Sequence, residues 1–187
     1  MRTLLWLFCL AVGAQEIGHA PALARVLDRE GRLTAVYGLA GNFAAGEPGE
    51  ALLEYANDGE YEWRLAEGSL SVTHAGRTVT MSTGATAAEF RGAYAVLDGA
   101  VVRLDGEALV PAAEAPAPAR TIAWAEGWLT VRQADGTEER VECAREPGAW
   151  RAAAAEWAHT RIDGQSYLLR LTPGRVALFV LPERRRS

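Results

Sequence analysis

Between Glu60 and Leu104 polar and apolar residues alternate, and the register breaks only at glycine-containing turns. Tyr61, Trp63 and Leu65 fall on one face while Glu60, Glu62 and Arg64 fall on the other, the two-residue period of a strand with one wet side. The period returns in Leu70/Val72 against Ser71/Thr73 and in Val79/Met81 against Thr78/Thr80/Ser82. The pattern predicts antiparallel sheet through the middle of the chain.

Around this stretch the period changes. Leu23, Val26 and Leu27 have helical spacing, with Pro21 in front and Gly31 behind, so a short helix is predicted over 20–32. Leu33 to Leu39 is read as the first strand, 43–50 as a glycine-rich loop, and 51–55 as a strand rather than a helical turn. Asn57-Asp58-Gly59 is a strong turn signal. Trp150, Ala153, Ala154 and Trp157 fall at i, i+3, i+4 and i+7, which predicts an amphipathic helix over 149–159 laid on one face or end of the sheet. Val176 to Leu181 is apolar on both alternating sets and reads as a central or doubly covered strand, followed by Arg184-Arg185-Arg186 as a solvated tail.

The hairpins share a grammar. Gly59-Glu60-Tyr61 leading to Gly68, Gly92-Ala93-Tyr94 leading to Gly99, Gly164 to Tyr167 leading to Gly174, and Trp124 leading to Gly127 are four versions of strand, tight turn, strand. Their spacing, roughly 33 and then 30 residues, is too irregular to argue for a propeller or solenoid. A meander whose edges meet accounts for them more simply, since closure removes exposed edge strands. The fold expected is therefore mostly β: an antiparallel meander closing into a small barrel, or a two-sheet sandwich, with one short helix against it. Pro111 to Pro118, with three prolines and no period, is an extended crossing inside one domain.

The first fourteen residues change the compartment. Arg2, the apolar run Leu4 to Val12 and Val12-Gly13-Ala14 read as a secretory signal peptide, with a cut after Ala20 as the other option. The run is too short to span a membrane, which needs roughly 20 apolar residues. The mature chain, 15–187, is the size of one exported domain, periplasmic or extracellular, with no transmembrane segment. Cys143 is the single cysteine left after cleavage, so no disulfide framework supports the fold. The formal charge of −5 comes from 24 acidic residues against 19 basic ones, all arginine, which argues against nucleic acid as a partner.

Chemistry is sparse. His19, His74 and His159 share no metal-ligand spacing, and Gly68-Ser69-Leu70 lacks the second glycine of a nucleophile elbow. The carboxylate pair Glu60/Glu62 lies on the wet face. No cofactor motif occurs, and the chain reads as no enzyme. His74 continues the inward series Leu70, Val72 to a barrel rim, and His159 reads as a charge partner for the C-terminus of the predicted helix. The aromatics are the informative feature. Inward Tyr61, Trp63, Tyr94 and Trp124, with His74 at the rim, would line a ligand cavity if the barrel is hollow, and would fill it otherwise.

From Gly59 to Val131 the Gly-x-Tyr, Gly, alternating-apolar pattern resembles small exported lipocalin-like meanders. That resemblance implies a cavity and transfers no functional residue. The leading expectation is a non-catalytic exported β-barrel that binds a small apolar or amphipathic ligand. The alternative is a structural or inhibitory envelope protein acting through a protein–protein surface. A third reading, a hydrolase, would need His74 held against a Glu or Asp.

Overall fold

The structure is a computed structural model that describes residues 21–39, 42–172 and 174–182. The leader, His19 and the arginine tail lie outside the described residues. Among the described residues the secondary structure is strand and turn, with no helix. Five antiparallel sheets follow one another along the chain, each a simple meander. Blade 1 is β1 (Ala24–Leu27), β2 (Arg32–Leu39) and β3 (Asn42–Ala51); blade 2 is β4 (Glu54–Asn57), β5 (Tyr61–Ala66), β6 (Ser69–His74) and β7 (Arg77–Ser82). Blade 3 is β8 (Ala88–Arg91), β9 (Tyr94–Leu97), β10 (Ala100–Asp105) and β11 (Ala108–Ala112). Blade 4 is β12 (Arg120–Ala125), β13 (Trp128–Gln133) and β14 (Glu138–Glu142); blade 5 is β15 (Arg151–Ala154), β16 (Trp157–Ile162), β17 (Gln165–Thr172) and β18 (Arg175–Val180). The first strand of each blade is innermost, and β1, β4 and β15 meet at the centre. The protein is a five-bladed β-propeller.

This overturns the barrel, the sandwich and the lipocalin-like resemblance. The four glycine-marked hairpins are pieces of successive blades, and the innermost strands begin at Ala24, Glu54, Ala88, Arg120 and Arg151, so the repeat is near-regular once blade starts rather than glycines are aligned. Except between blades 3 and 4, the sheets stay separate because each face is covered by the neighbouring blade. Glu62 and Arg64, expected on a wet face, are turned toward blade 1: Arg64 bonds Glu62 at 2.6 Å and Glu50 at 2.6 Å, and Arg25 reaches Glu62 at 3.2 Å. Burial pulls the Arg64 guanidinium down, but its hydrogen bond to Glu62 and the charges of Glu62 and Glu50 outweigh it and the net shift is upward.

Both predicted helices are strands. The 149–159 segment is β15, a two-residue turn and β16, and the 20–32 segment holds β1. Ala153 is buried in the core between blades 5 and 1, and just beyond β15 Ala155 lies so near Gly59 that a Cβ on that glycine would come within 2.6 Å of the Ala155 Cβ. Local helix propensity loses to this close packing. The predicted loop 43–50 belongs to β3, and β18, expected to be central, is an outer strand with Val180 exposed.

Four of the five blade boundaries are filled. Trp63, Leu65, Leu70 and Val72 of blade 2 meet Ala95, Leu97 and Val102 of blade 3. Leu129, Val131 and Cys143 of blade 4 meet Ala158, Ile162, Leu169 and Leu171 of blade 5. Ala24, Val26 and Val36 of blade 1 meet Ala153, Trp157 and Leu168 of blade 5. Leu33 and Leu52 meet Tyr55 between blades 1 and 2. Each fully buried Leu contributes roughly 1.5–3 kcal/mol. Between blades 3 and 4 no such buried cluster occurs among the described residues, and the chain crosses there by residues 113–119.

Candidate functional site

A cavity of about 1020 Å³ lies among the innermost strands, and Thr121, Glu89 and Arg91, from the two facing sides of the unfilled boundary, are among its lining residues. Its walls are the innermost strands β4, β8, β12 and β15 with the approach to β15, so four blades contribute. The ionisable lining comprises five carboxylates (Glu54, Asp58, Glu60, Glu89, Glu146) and three guanidinia (Arg91, Arg120, Arg151), and is acidic on balance.

The arginines are held in place. Arg151 grips Glu54 with both ends of its fork, Nε to Oε2 at 2.5 Å and Nη2 to Oε1 at 2.9 Å, tying blade 5 to blade 2. Hydrogen bonding to Glu54 outweighs the opposing effect of burial and raises its pKa. Arg91 donates to both oxygens of Glu89 at 2.9 Å and to the Pro116 carbonyl at 3.0 Å, fastening the crossing to blade 3. Arg120 donates to neutral oxygens, Gln133 Oε1 at 2.9 Å and the Ala155 carbonyl at 3.0 Å. Asp58 Oδ1 accepts the backbone N–H of Glu60 and of Tyr61 at 2.9 and 2.7 Å, which fixes the turn below the cavity mouth. Trp124 and Trp150, both half-buried, give the lining its indole surface, and the Trp124 Nε1 donates to the Cys143 carbonyl at 2.8 Å.

Of the five aromatic and histidine positions expected to share a cavity, Trp124 lines this one. Trp63 is in the boundary between blades 2 and 3, 1% exposed, stacked on Phe90 at 5.4 Å with its Nε1 donating to the Gly92 carbonyl at 2.7 Å. Tyr61, Val79 and Met81 pack against the same boundary core. Tyr61 also stacks on His74 at 4.4 Å, and the His74 Nδ1 lies 3.3 Å from the Glu60 carbonyl oxygen rather than against a carboxylate. Tyr94 sits half-buried on the face of blade 3 turned away from blade 2. No barrel lumen joins them, and the reading of a barrel that encloses a small apolar ligand falls with it.

Local patterning does not point to Arg151, Glu54, Arg120 and Trp150 as cavity residues. Their signal is positional: each lies at or next to the start of an innermost strand, visible only once blades are counted.

His159 is a second unusual group. It is buried beside Arg161 and Arg151 rather than capping a helix, and its Nε2 has no hydrogen-bond partner. Burial, then the charges of Arg161 and Arg151, push its pKa down to about 4, so it is neutral at pH 7. Arg161 is itself lowered by burial, and donates to the Leu27 carbonyl at 2.9 Å, while Arg29 donates twice to the Gly164 carbonyl at 3.1 and 3.0 Å. These arginine-to-carbonyl bonds close the ring between blades 5 and 1.

No protein-family model, curated protein or solved structure matches this chain. Among the described residues no group of three or more His, Cys, Asp or Glu side chains converges to hold a metal, and no helix is long and apolar enough to cross a membrane.

Proposed function

We propose that this is a non-catalytic scaffold of the cell envelope that holds a partner protein at the boundary between blades 3 and 4. The observation that carries the reading is the contrast between four boundaries filled by buried side chains and one left as two uncovered sheet faces above a cavity. On blade 4 the uncovered face carries Thr121, Ala123, Ala125 and Trp128, all exposed, with Trp128 at 47%. On blade 3 it carries Tyr94, Val96, Val101 and Val110, all half-buried. A large aromatic exposed on a sheet face of small, otherwise uncovered residues is a usual anchor of a protein interface. The leader-like N-terminal stretch supports an exported, periplasmic or extracellular location for this scaffold.

The test is photocrosslinking in the source cells with benzoylphenylalanine at position 128, and at Thr80 on the outer strand of blade 2 as control. A discrete crosslinked protein from position 128 and none from position 80 is the expected result. Equal, diffuse crosslinking from both positions, or none from either, would end the proposal.

A further inference from the structure

The innermost strand of blade 4 has an unused edge. β12 pairs with β13 in the register Ala125↔Trp128, Trp124↔Leu129, Ala123↔Thr130, and ends its sheet on the other side. The connection is the two-residue turn Glu126-Gly127, with φ of 50° and 85° at its two positions, the geometry of a type I′ hairpin. In such a hairpin the residues flanking the turn exchange both backbone hydrogen bonds, and pairs then alternate. Ala125 and Ala123 therefore spend their N–H and C=O on β13, while those of Trp124 and Ile122 point to the free edge. Arg120, Thr121 and Ile122 all line the cavity although successive side chains alternate between the two faces of the sheet, and Ile122 and Trp124 also pack against the core shared with blade 5, so it is the edge of β12 that faces the space of about 1020 Å³. β8 offers no equivalent edge of the same length: it has four residues, and its Arg91 is fastened to the crossing at Pro116.

We infer that the cavity takes an extended, lysine- or arginine-bearing segment of a partner protein, added as a strand to the free edge of β12. The inference rests on the scaffold reading and specifies its site and occupant. An unpaired edge beside a concavity is the surface that strand addition uses, with main-chain bonds supplying affinity and side-chain pockets supplying selectivity. The charge of the occupant follows from the walls. Glu54 and Glu89 are neutralised by Arg151 and Arg91; Arg120, whose partners are neutral oxygens, keeps its charge and offsets one of the three remaining carboxylates Asp58, Glu60 and Glu146, so the walls stay acidic on balance. Trp124 and Trp150 add indole faces that attract a cation stem and head. The volume suits a few residues of extended chain and exceeds what one side chain would fill.

The experiment selects nine-residue peptides from a random phage-displayed library on the full-length protein, then measures the synthetic winners by fluorescence anisotropy. Ile122→Pro deletes one edge donor without touching the bonds to β13, a substitution that edge strands tolerate. The Glu60→Gln/Glu146→Gln pair changes two exposed carboxylates and keeps a folded control in hand if the proline variant melts early. Winners enriched in Lys or Arg, weakened at least tenfold by Ile122→Pro and several-fold by the double glutamine variant, are expected. Winners without basic residues, winners that bind both variants as tightly as the parent, or a library with no winners overturn the inference. If the photocrosslink at position 128 persists in that event, the scaffold reading stands and only the strand-addition site is lost.

Discussion

Blade 3 has two faces of one sheet and they have opposite fates. Toward blade 2 it presents Ala95, Leu97 and Val102, each at most 7% exposed and locked against Trp63, Leu65, Leu70 and Val72. Toward blade 4 it presents Tyr94, Val96, Val101 and Val110, half-buried with no opposing core. Both faces carry apolar residues at alternate positions. Whether a neighbour arrives to cover them is what differs, and the crossing through 113–119 keeps blade 4 away. In this propeller the buried packing is concentrated in four boundaries, and the proposed recognition falls to the fifth.

The sharpest way to break this comparison is at Trp63. Trp63→Ala leaves a large void in the closed boundary and strands the Gly92 carbonyl, and is expected to cost about 3–5 kcal/mol in urea unfolding. A loss under about 1 kcal/mol would mean that the closed boundary is not where stability resides.

Acid probes the junction of blades 5 and 1. The folded-state pKa of His159, about 4, lies below the ordinary value of 6.5, so the unfolded chain binds the extra proton first. The contribution is fully present above pH 6.5, is lost as pH falls toward 4, and changes no further below that. The span corresponds to about 3 kcal/mol. His159→Leu should flatten that part of the stability–pH curve and leave stability at pH 7 unchanged or higher, because it removes an unpartnered buried nitrogen. An unchanged slope in the variant would assign the acid sensitivity elsewhere.

A pair of glycine substitutions sharpens the same contrast. Gly59 and Gly99 have nearly equal φ, 94° and 92°, but an added Cβ meets Ala155 at Gly59 and open space at Gly99. Gly99→Ala should cost about 1 kcal/mol from backbone strain alone, and Gly59→Ala about 2–3 kcal/mol because the hub must also shift. Equal melting temperatures for the two variants would contradict a tight centre. The smallest effect is expected at the open boundary: Trp128→Ala should leave stability within about 0.5 kcal/mol of the parent while abolishing partner capture.

The strands of blade 2 are legible in the sequence because the alternation of Tyr61, Trp63 and Leu65 with Glu62 and Arg64 is a local property. So are the turns, where Asn57-Asp58-Gly59 and Asp163-Gly164 adopt the backbone that those residues favour. Of the candidate site, Trp124 is legible as an inward aromatic. Trp63 and Tyr94 carry the same signal, and alternation cannot say whether an inward residue faces a lumen, a neighbouring blade or an empty boundary. The alanine run before Trp157 misleads for a related reason: its spacing satisfies a helix stripe, whereas its small side chains answer to the crowding of β15 between β1 and β4.

From the sequence alone came the hairpins and their turns, because each depends on neighbours within about ten positions, and the acidic balance of the chain, which is a sum over its composition. Tertiary structure decided that the hairpins fan into blades instead of closing on one another, that Glu62 and Arg64 meet a second sheet instead of water, and that one boundary stays open. Those outcomes depend on contacts between distant segments, such as Arg25 with Glu62, 37 residues apart, and Arg161 with Leu27, 134 residues apart, and local patterning carries no record of them.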